Sequence, residues 1–228
     1  MEAKAEGRET DPISTIIFDV GGVILNVTDE FKDQQLQHAL KYGFEDIQDM
    51  RKGIHTENWM SCKIGGMTAR ELFRLALEPK GFTKDEEVDD FLANYWTARW
   101  MSKDLAALIK QIHASGYRLA ILSNHMEILP QLLKEKCSDI LHCFAPEAIL
   151  NSWDLKLCKP QPEIFEKTAE LLKVKHSEIY FVDDKVSNTS VAEQFGWRCF
   201  EYKQDVDALR RHLALNGVKL VEADSKKQ

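Results

Sequence analysis

Two acidic motifs follow short apolar runs of the chain. Asp19 stands near the end of the run STIIFDV, and Asp183 closes the run EIYFVD, with Asp184 directly after it. Adjacent carboxylates repel each other, and a divalent cation is the usual compensation. A carboxylate at the end of a buried strand is also costly to leave without a partner. The acid pair, with Asn188 a few residues beyond it, therefore predicts a metal site, and Asp19 is expected to have a cation or hydrogen-bond donors around it.

A serine hydroxyl and a lysine ammonium lie at the edges of two further predicted elements, one at the end of a strand and one before a helix. Ser123 and Asn124 come at the end of the run YRLAILS, where a small hydroxyl and a turn can bind an anion. Lys159 and Pro160 precede a helical pattern, which places a cation near the positive end of a helix dipole and so favours phosphate. Each motif alone also fits an ordinary strand end or helix start. Their order along the chain (acid, serine, lysine, acid pair) is harder to obtain by accident.

Four β-branched and aromatic runs predict the strands that position these residues. The runs lack the alternation of a half-exposed strand, which favours strands buried on both faces, as in a parallel sheet. Strands alternating with helices predict an α/β fold with a Rossmann-like parallel sheet, whose sites lie beyond the carboxyl ends of the strands. The predicted strands are 14–20, 117–123, 178–183 and 197–202, and the predicted helices are 104–116, 162–172 and 188–196.

The stretch 29–100 breaks this alternation. It is long, polar and helical in pattern, without a convincing strand, and predicts an inserted helical cap rather than further helices against the sheet. Residues 14–28 and 101–222 then form the core. The polar ends, 1–13 and 223–228, are expected to be flexible tails.

Composition and charge exclude several classes of protein. With 44% hydrophobic and 29% charged residues, the chain has the composition of a globular protein rather than a disordered one. A net charge of −7 without a dense Lys/Arg cluster argues against nucleic acid as a partner. No apolar run approaches the roughly 18 residues of a membrane span, so no membrane partner is expected. Five scattered cysteines without a CxxC pair indicate neither disulfides nor zinc, and favour a reduced, cytoplasmic location.

The motifs FDVGGVI, LSN, KPQPEIF and FVDDKVSN, in this order, resemble those of the haloacid dehalogenase-like (HAD) hydrolase superfamily. The resemblance covers residues 14–27 and 101–202. It is greatest to the branch that contains α-D-glucose-1-phosphate phosphatase and the phosphatase domain of soluble epoxide hydrolases. The resemblance implies a Rossmann-like core with an inserted helical cap, Mg²⁺ as the cofactor and a small phosphorylated metabolite as the substrate.

The resemblance also implies a role for each motif residue. Asp19 would be the nucleophile that forms an aspartyl-phosphate, and Lys159 would be the second catalytic residue, which neutralises it. Ser123, Asn124 and Lys159 would bind the phosphoryl group of the substrate. The implied ligands of Mg²⁺ are Asp19, the backbone carbonyl of Gly21, Asp183 and Asp184.

Position 21 departs from the pattern of the family. Its phosphatases usually carry a second aspartate there as general acid and base, whereas this chain has Gly21. A positioned proton-transfer group contributes about 10²–10⁴-fold to a rate, so slow turnover is expected unless His125 replaces it. The glycine leaves a catalytically weak binding or regulatory protein as the alternative function. A metal-independent dehalogenase with the same nucleophile is a further alternative, which the acid pair Asp183-Asp184 disfavours.

Overall fold

The computed structural model describes residues 11–27, 32–96 and 99–222. Within them the strands are β1 (Thr15–Phe18), β2 (Asn26–Val27), β3 (Arg99–Trp100), β4 (Arg118–Ser123), β5 (Ile149–Asn151), β6 (Ile179–Asp183) and β7 (Arg198–Glu201). Five of these strands form one parallel sheet in the order β5–β4–β1–β6–β7, which confirms the predicted α/β fold. Strand β5 was not predicted, because its three residues are too few to show a pattern.

Both faces of this sheet are buried, which explains why its strands show no alternation in the sequence. In β1, Ile16 and Phe18 pack into one hydrophobic cluster, and Ile17 packs into another cluster on the opposite face. Strand β6 divides its side chains in the same way, with Tyr180 on the first side and Phe181 on the second. Burying one large apolar side chain stabilises a fold by about 1.5–3 kcal/mol, so the sheet is a rigid platform for the residues at its edge.

Helices cover both faces of the sheet and fill the stretch between β2 and β3. Helix 162–172 matches its predicted range, because a proline fits the first turn and Lys173 ends the helix with a left-handed backbone (φ 53°). Within the described residues the helices are α1 (Lys32–Lys41), α2 (Ile47–Ile54), α3 (Glu57–Lys63), α4 (Ala69–Leu77), α5 (Asp85–Tyr95), α6 (Lys103–Ala114), α7 (Leu129–Lys136), α8 (Ser138–Leu141), α9 (Ser152–Leu155), α10 (Pro162–Leu172), α11 (Val186–Gln194) and α12 (Val206–Leu215).

Helices α1–α5, which we call the cap helices, all lie between β2 and β3. These two strands pair antiparallel, with Asn26 opposite Trp100 and Val27 opposite Arg99, so the chain leaves the core and returns to it through one ribbon. Strand β3 falls inside the stretch that the sequence pattern assigned to helices. Strand β3 has only two residues and is a strand only because it pairs with β2. The local sequence does not reveal that pairing.

Four hydrogen bonds connect the segment between α3 and α4 with the core, and two of them are short. The Ser152 hydroxyl donates a hydrogen bond of 2.7 Å to the backbone carbonyl of Lys63. The backbone N–H of Ala69, at the start of α4, donates a hydrogen bond of 2.7 Å to the Glu127 carboxylate. These contacts hold the cap helices over the carboxyl edge of the sheet.

The chain ends differ in part from the prediction. Residues 11–13 were assigned to a flexible tail, yet Ile13 is buried and the Ser177 hydroxyl donates a 2.7 Å hydrogen bond to the Asp11 carboxylate. The rest of the two predicted tails, 1–10 and 223–228, lies outside the described residues. Throughout 11–27, 32–96 and 99–222, no helix has both the length and the apolar character needed to cross a bilayer.

Candidate active site

A cavity of about 370 Å³ lies between the carboxyl edge of the sheet and the cap helices. Asp19, Ser123 and Asp184 line it from the ends of three neighbouring strands, and Trp59 and Trp96 line it from the cap side. The site therefore lies where the fold class predicts, beyond the carboxyl ends of parallel strands.

Strand register places the acids next to one another. Phe18 in β1 lies opposite Ile121 in β4 and Val182 in β6. The residues that follow Phe18 and Val182, Asp19 and Asp183, therefore end adjacent strands at the same level. Two acids separated by more than 160 residues in the sequence thus share one edge of the sheet.

Lys159 joins these two acids. Its ammonium lies 3.0 Å from the Asp19 carboxylate and 2.7 Å from the Asp183 carboxylate, and it donates a further 2.7 Å hydrogen bond to the carbonyl of Leu122. The side chain of Lys159 is only 1% exposed. Burial by itself would lower the pKa of Lys159, but the carboxylates of Asp19 and Asp183 outweigh it and raise that pKa above its ordinary value. The lysine is a fixed positive charge.

The Asp19 carboxylate has one oxygen engaged and one open. Oδ1 accepts a 2.7 Å hydrogen bond from the backbone N–H of Val20 and contacts Lys159. Oδ2 has no hydrogen-bond partner among the described residues. Burial is the main cause that raises the pKa of Asp19 to about 6, with the Lys159 charge opposing the rise and the Asp183 charge adding to it. A carboxylate so placed can act as a nucleophile once a cation offsets this cost.

Three carboxylates meet the geometric requirements of a divalent cation site. Oxygen atoms of Asp19, Asp183 and Asp184 all lie within 4.8 Å of one another. Oδ1 of Asp184 is buried without a hydrogen-bond partner, and burial followed by the charge of Asp183 raises the pKa of Asp184. An orphaned carboxylate oxygen beside two further acids is the donor set that Mg²⁺ prefers, so the residues present fit this ion.

Asp183 has a different environment from the other two acids. Its carboxylate is fully buried and accepts hydrogen bonds from the Asn188 amide (2.9 and 3.0 Å), the backbone N–H of Lys185 (2.9 Å) and Lys159 (2.7 Å). These contacts saturate most of its acceptor capacity. In this arrangement Asp183 orients Lys159 and the loop that carries Asp184.

The two glycines after Asp19 differ in their local geometry. Gly22 has φ +84°, and a Cβ atom there would lie 2.4 Å from Oδ2 of Asp184, so only glycine leaves room for that carboxylate. Gly21 is outside the left-handed region, and a Cβ atom on it would meet nothing within 4 Å. The structure therefore leaves room at position 21 for the side chain of the aspartate that the family usually carries.

The predicted phosphate-binding residues converge on the cavity in different ways. Ser123 ends β4, is buried and lines the cavity. The Asn124 side chain holds the backbone of Lys159 from both sides, since its amide donates to the Lys159 carbonyl (2.7 Å) and its oxygen accepts from the Lys159 N–H (2.8 Å). That side chain positions Lys159, so a direct contact of Asn124 with substrate would use its backbone.

His125 is held as a neutral ring. Burial lowers the pKa of His125 to about 3, and Nδ1 accepts a 2.9 Å hydrogen bond from the backbone N–H of Met126. Because this contact is shorter than the one between Nδ1 and the Met126 carbonyl (3.4 Å), we assign the ring proton to Nε2, which is buried without a partner. A neutral ring in this state can donate a hydrogen bond from Nε2, but it lacks the second proton of a general acid, and its Nδ1 lone pair is already occupied. This geometry does not support His125 as a replacement for the missing acid/base residue.

The cap side of the cavity carries residues that the sequence did not single out for function. Trp59, Trp96, Lys63 and Arg99 all line the cavity from this side. Arg99 lies over the ring of Trp96 at 4.9 Å, and Lys63 lies over the ring of Trp59 at 5.1 Å. Their position follows from the β2–β3 ribbon and from the docking of α3, and no local sequence signal marks either of these.

Comparison with known proteins places this chain in one family. The family model described as haloacid dehalogenase-like hydrolase matches residues 13–196. The chain belongs to this family of hydrolases, which confirms the resemblance seen in its motifs.

Individual relatives show what has been described in the family. The chain is 24% identical over 215 residues to D-ribitol-5-phosphate phosphatase of Bacteroides thetaiotaomicron, covering 86% of this chain and 94% of the relative. It is 24% identical over 196 residues to (S)-2-haloacid dehalogenase 1 of a Pseudomonas species, covering 82% and 83%. A crystal structure of a HAD family enzyme from Bacteroides thetaiotaomicron, in complex with magnesium and inorganic phosphate, shares the fold with a TM-score of 0.66 at 24% identity, covering 86% and 98%.

Proposed function

We propose that the chain is a Mg²⁺-dependent phosphomonoesterase that hydrolyses a small phosphorylated metabolite through an aspartyl-phosphate on Asp19. The observation that carries this proposal is the Asp19 carboxylate at the cavity, which is neutralised by the buried Lys159 and lies beside the orphaned Asp184 carboxylate. The relative named as a D-ribitol-5-phosphate phosphatase and the related structure with magnesium and phosphate support the same activity.

The reaction would proceed in two displacements at phosphorus. An oxygen of the Asp19 carboxylate forms a bond to phosphorus while the ester P–O bond breaks, and the leaving alkoxide takes a proton from water. Water then attacks the phosphorus of the aspartyl-phosphate, which releases inorganic phosphate and a proton and restores Asp19. Ser123 and Lys159 hold the phosphoryl oxygens throughout, and Asn124 and Asp183 keep Lys159 in place.

The cation site belongs to the same proposal. Asp19, Asp184 and the backbone carbonyl of Gly21 would hold Mg²⁺ directly. Asp183, which the resemblance also implies as a ligand, belongs to the same cluster of acids, but its oxygens already accept four hydrogen bonds, so it would support the ion through the loop that carries Asp184. When bound, the ion would supply the positive charge that lets a carboxylate approach a phosphate dianion. The stretch 29–100 would act as the cap that encloses the substrate, as the cavity between the cap helices and the core suggests.

Release of phosphate from an aryl phosphate, with and without Mg²⁺, tests this function. We expect activity that EDTA abolishes and added Mg²⁺ restores. Asp19→Asn should reduce turnover to background, because the amide cannot attack phosphorus, whereas Asp207→Asn, at an exposed position on α12, should leave it unchanged. Phosphatase activity that survives exhaustive chelation, or near-wild-type activity of Asp19→Asn, would reject this mechanism.

Two alternatives predict other outcomes of the same assay. A dehalogenase would release halide from a 2-haloacid without metal; the relative of that name favours it and the cluster of three acids opposes it. A binding or regulatory protein would bind Mg²⁺ and phosphate without turnover, and Gly21 is the feature that favours it. A panel of phosphorylated sugars, polyols and hydroxy acids would then identify the substrate class.

A further inference from the structure

Two cations on the cap side of the cavity have no acidic partner. Lys63 on α3 and Arg99 on β3 both line the cavity, and no carboxylate within residues 11–27, 32–96 and 99–222 lies at ion-pair distance from either. Other cations of the cap helices do pair with acids at the surface. Examples of these ion pairs are Lys41 with Asp90, Arg70 with Asp89, Arg74 with Asp85 and Lys80 with Asp49.

The environment of these two cations makes the missing partner costly. Nε of Arg99 is buried without a hydrogen-bond acceptor, and burial lowers the pKa of Arg99 from its ordinary value. Burial, followed by the charge of Lys185, lowers the pKa of Lys63 to about 8. A partly buried cation costs little free energy when an anion compensates its charge. Uncompensated cations beside a cavity are therefore typical of a binding site for an anionic ligand.

The neutral groups around the two cations offer donors as well. The indole Nε1 of Trp96 and the ring Nε2 of His125 are both buried at the cavity without a partner. Each of the two carries a hydrogen to donate, because Nδ1 of His125 already accepts from the backbone. Two cations and two neutral side chains with unpaired N–H groups line one cavity, a set of donors that suits a bound anion.

The position of the two cations indicates that this anion is not the transferred phosphate alone. The transferred phosphoryl group would lie against Asp19, with Ser123 and Lys159, at the ends of the strands. Lys63 and Arg99 line the same cavity from the cap side, on α3 and β3. They therefore suit a second anionic group of the same substrate.

We propose that the substrate is a phosphomonoester that also carries a carboxylate, and that Arg99 and Lys63 bind this carboxylate. The inference rests on the phosphatase function proposed above and deepens it by naming the substrate class. The planar guanidinium of Arg99 suits bidentate recognition of a carboxylate, with Lys63 as a second point charge. D-ribitol 5-phosphate, the substrate named for one relative, has an uncharged polyol in that place, so this chain would differ from that relative.

Matched substrate pairs test the proposal on the full-length, Mg²⁺-loaded protein. The first pair is 5-phospho-D-ribonate and D-ribitol 5-phosphate, and the second is 2-phosphoglycolate and 2-hydroxyethyl phosphate. Within each pair only a carboxylate is exchanged for a CH₂OH group, and the two pairs differ in length. We expect kcat/KM to favour the carboxylate member of at least one pair by about 10- to 100-fold, as for a hydrogen-bonded charge pair.

Variants assign this preference to the two residues. Arg99→Gln and Lys63→Gln should each lower kcat/KM for the carboxylate substrate by about 10-fold or more, and change that for its uncharged match less than about threefold. Lys52→Gln, which removes an exposed lysine of α2, is the matched control and should alter neither. Arg99→Lys should keep more of the preference than Arg99→Gln does, because lysine has the positive charge but lacks the paired N–H donors of the guanidinium.

A binding measurement separates this inference from the activity. Asp19→Asn protein with Mg²⁺ can be titrated with both members of a pair by isothermal calorimetry, and should bind the carboxylate ligand more tightly. Equal binding and equal kcat/KM within both pairs would overturn the proposal while the phosphatase function stands. Preference for a bisphosphate over both carboxylates would also overturn it. Absence of any phosphate hydrolysis would instead reject the proposed function.

Discussion

Gly21 and Gly22 are adjacent residues with opposite tolerance for a side chain. Gly22 requires a left-handed backbone and leaves space for the Asp184 carboxylate, whereas Gly21 needs neither. The sequence shows only two glycines after an acid. The structure therefore separates a residue that shapes the cation site from one whose side chain is simply missing.

Gly22→Ala should damage both stability and metal binding. The left-handed backbone alone costs a non-glycine residue about 1–2 kcal/mol of unfolding free energy, and the new Cβ atom would displace Asp184. Urea unfolding would measure the first effect and calorimetric titration with Mg²⁺ the second. Gly21→Ala is the matched control, for which we expect unfolding free energy within about 0.5 kcal/mol of the wild type and unchanged Mg²⁺ affinity. Equal behaviour of the two variants would contradict this interpretation.

Gly21→Asp should change the kinetics of the second displacement. No side chain at position 21 can activate water, so an aryl phosphate should phosphorylate Asp19 rapidly and then turn over slowly, giving a burst of phenol. The aspartate has space at this position, and Gly21 does not need a left-handed backbone. We expect the burst to shrink and steady turnover to rise by up to about 10²-fold.

Stopped-flow measurement of phenol release would follow this burst in both proteins. Gly21→Ala should keep the wild-type burst, because it adds a methyl group without a proton-transfer group. A wild type that shows no burst and hydrolyses sugar and aryl phosphates at equal rates would mean that another group supplies the proton.

At the level of elements, Glu127 connects the core to the start of the cap helix α4. Its carboxylate accepts a hydrogen bond from the backbone N–H of Ala69. At the start of a helix this N–H group has no partner within the helix itself. A negative charge at that end also interacts favourably with the helix dipole. This single side chain therefore contributes to docking of the cap helices over the cavity.

Glu127→Ala should loosen this docking. Loss of a charged hydrogen bond at a helix start is expected to lower the unfolding free energy by about 1–2 kcal/mol, as thermal or urea unfolding would measure. Glu135→Ala is a suitable control, since the described contact of Glu135 is an exposed 2.9 Å hydrogen bond from Gln131 on the same helix. Similar losses for both variants would show that Glu127 has no special part in docking.

The sequence revealed the elements of the core better than those of the cap. Buried strands and a helix that starts at Pro162 leave local signals, and strand ends fix where Asp19, Ser123 and Asp183 must lie. The short strands β2, β3 and β5 have only two or three residues, and pairing with distant chain defines them. Arg99 reaches the cavity through such pairing, so its place could not be predicted from local pattern.

For the whole molecule, net charge and local charge have opposite signs. The chain carries −7 overall, which repels an anionic substrate at long range. The cavity nevertheless gathers Lys63, Arg99 and Lys159, and a bound divalent cation would add to them. Specific contacts at short range, rather than steering by the overall field, would therefore bring a phosphorylated substrate to the site.

Histidines with lowered pKa values and acids with raised pKa values act in opposite directions on the pH dependence of stability. Burial lowers the pKa of His125 to about 3 and the pKa values of His38 and His55 to about 4. The unfolded chain, with an ordinary histidine pKa of about 6.5, therefore binds these protons first as the pH falls. The contribution of the neutral histidines to the unfolding free energy is therefore fully present above pH 6.5 and is lost as the pH falls towards 3–4. The raised pKa values of Asp19 and Asp184 have the opposite effect, since they favour the folded state at low pH.

Three histidines against two acids predict a net loss of stability in acid. Without Mg²⁺, we expect the unfolding free energy to fall by about 1–2 kcal/mol between pH 6.5 and 5.0. Most of this change comes from His125, because the half-buried His38 contributes less and solvent screens the exposed His55. Urea unfolding in EDTA at the two pH values measures this change. His125→Gln should flatten the dependence because it removes the most buried histidine, and Asp19→Asn should steepen it because it removes an opposing acid. A wild type whose stability rises towards pH 5.0, or a His125→Gln protein with an unchanged slope, would show that the histidines do not govern its stability in acid.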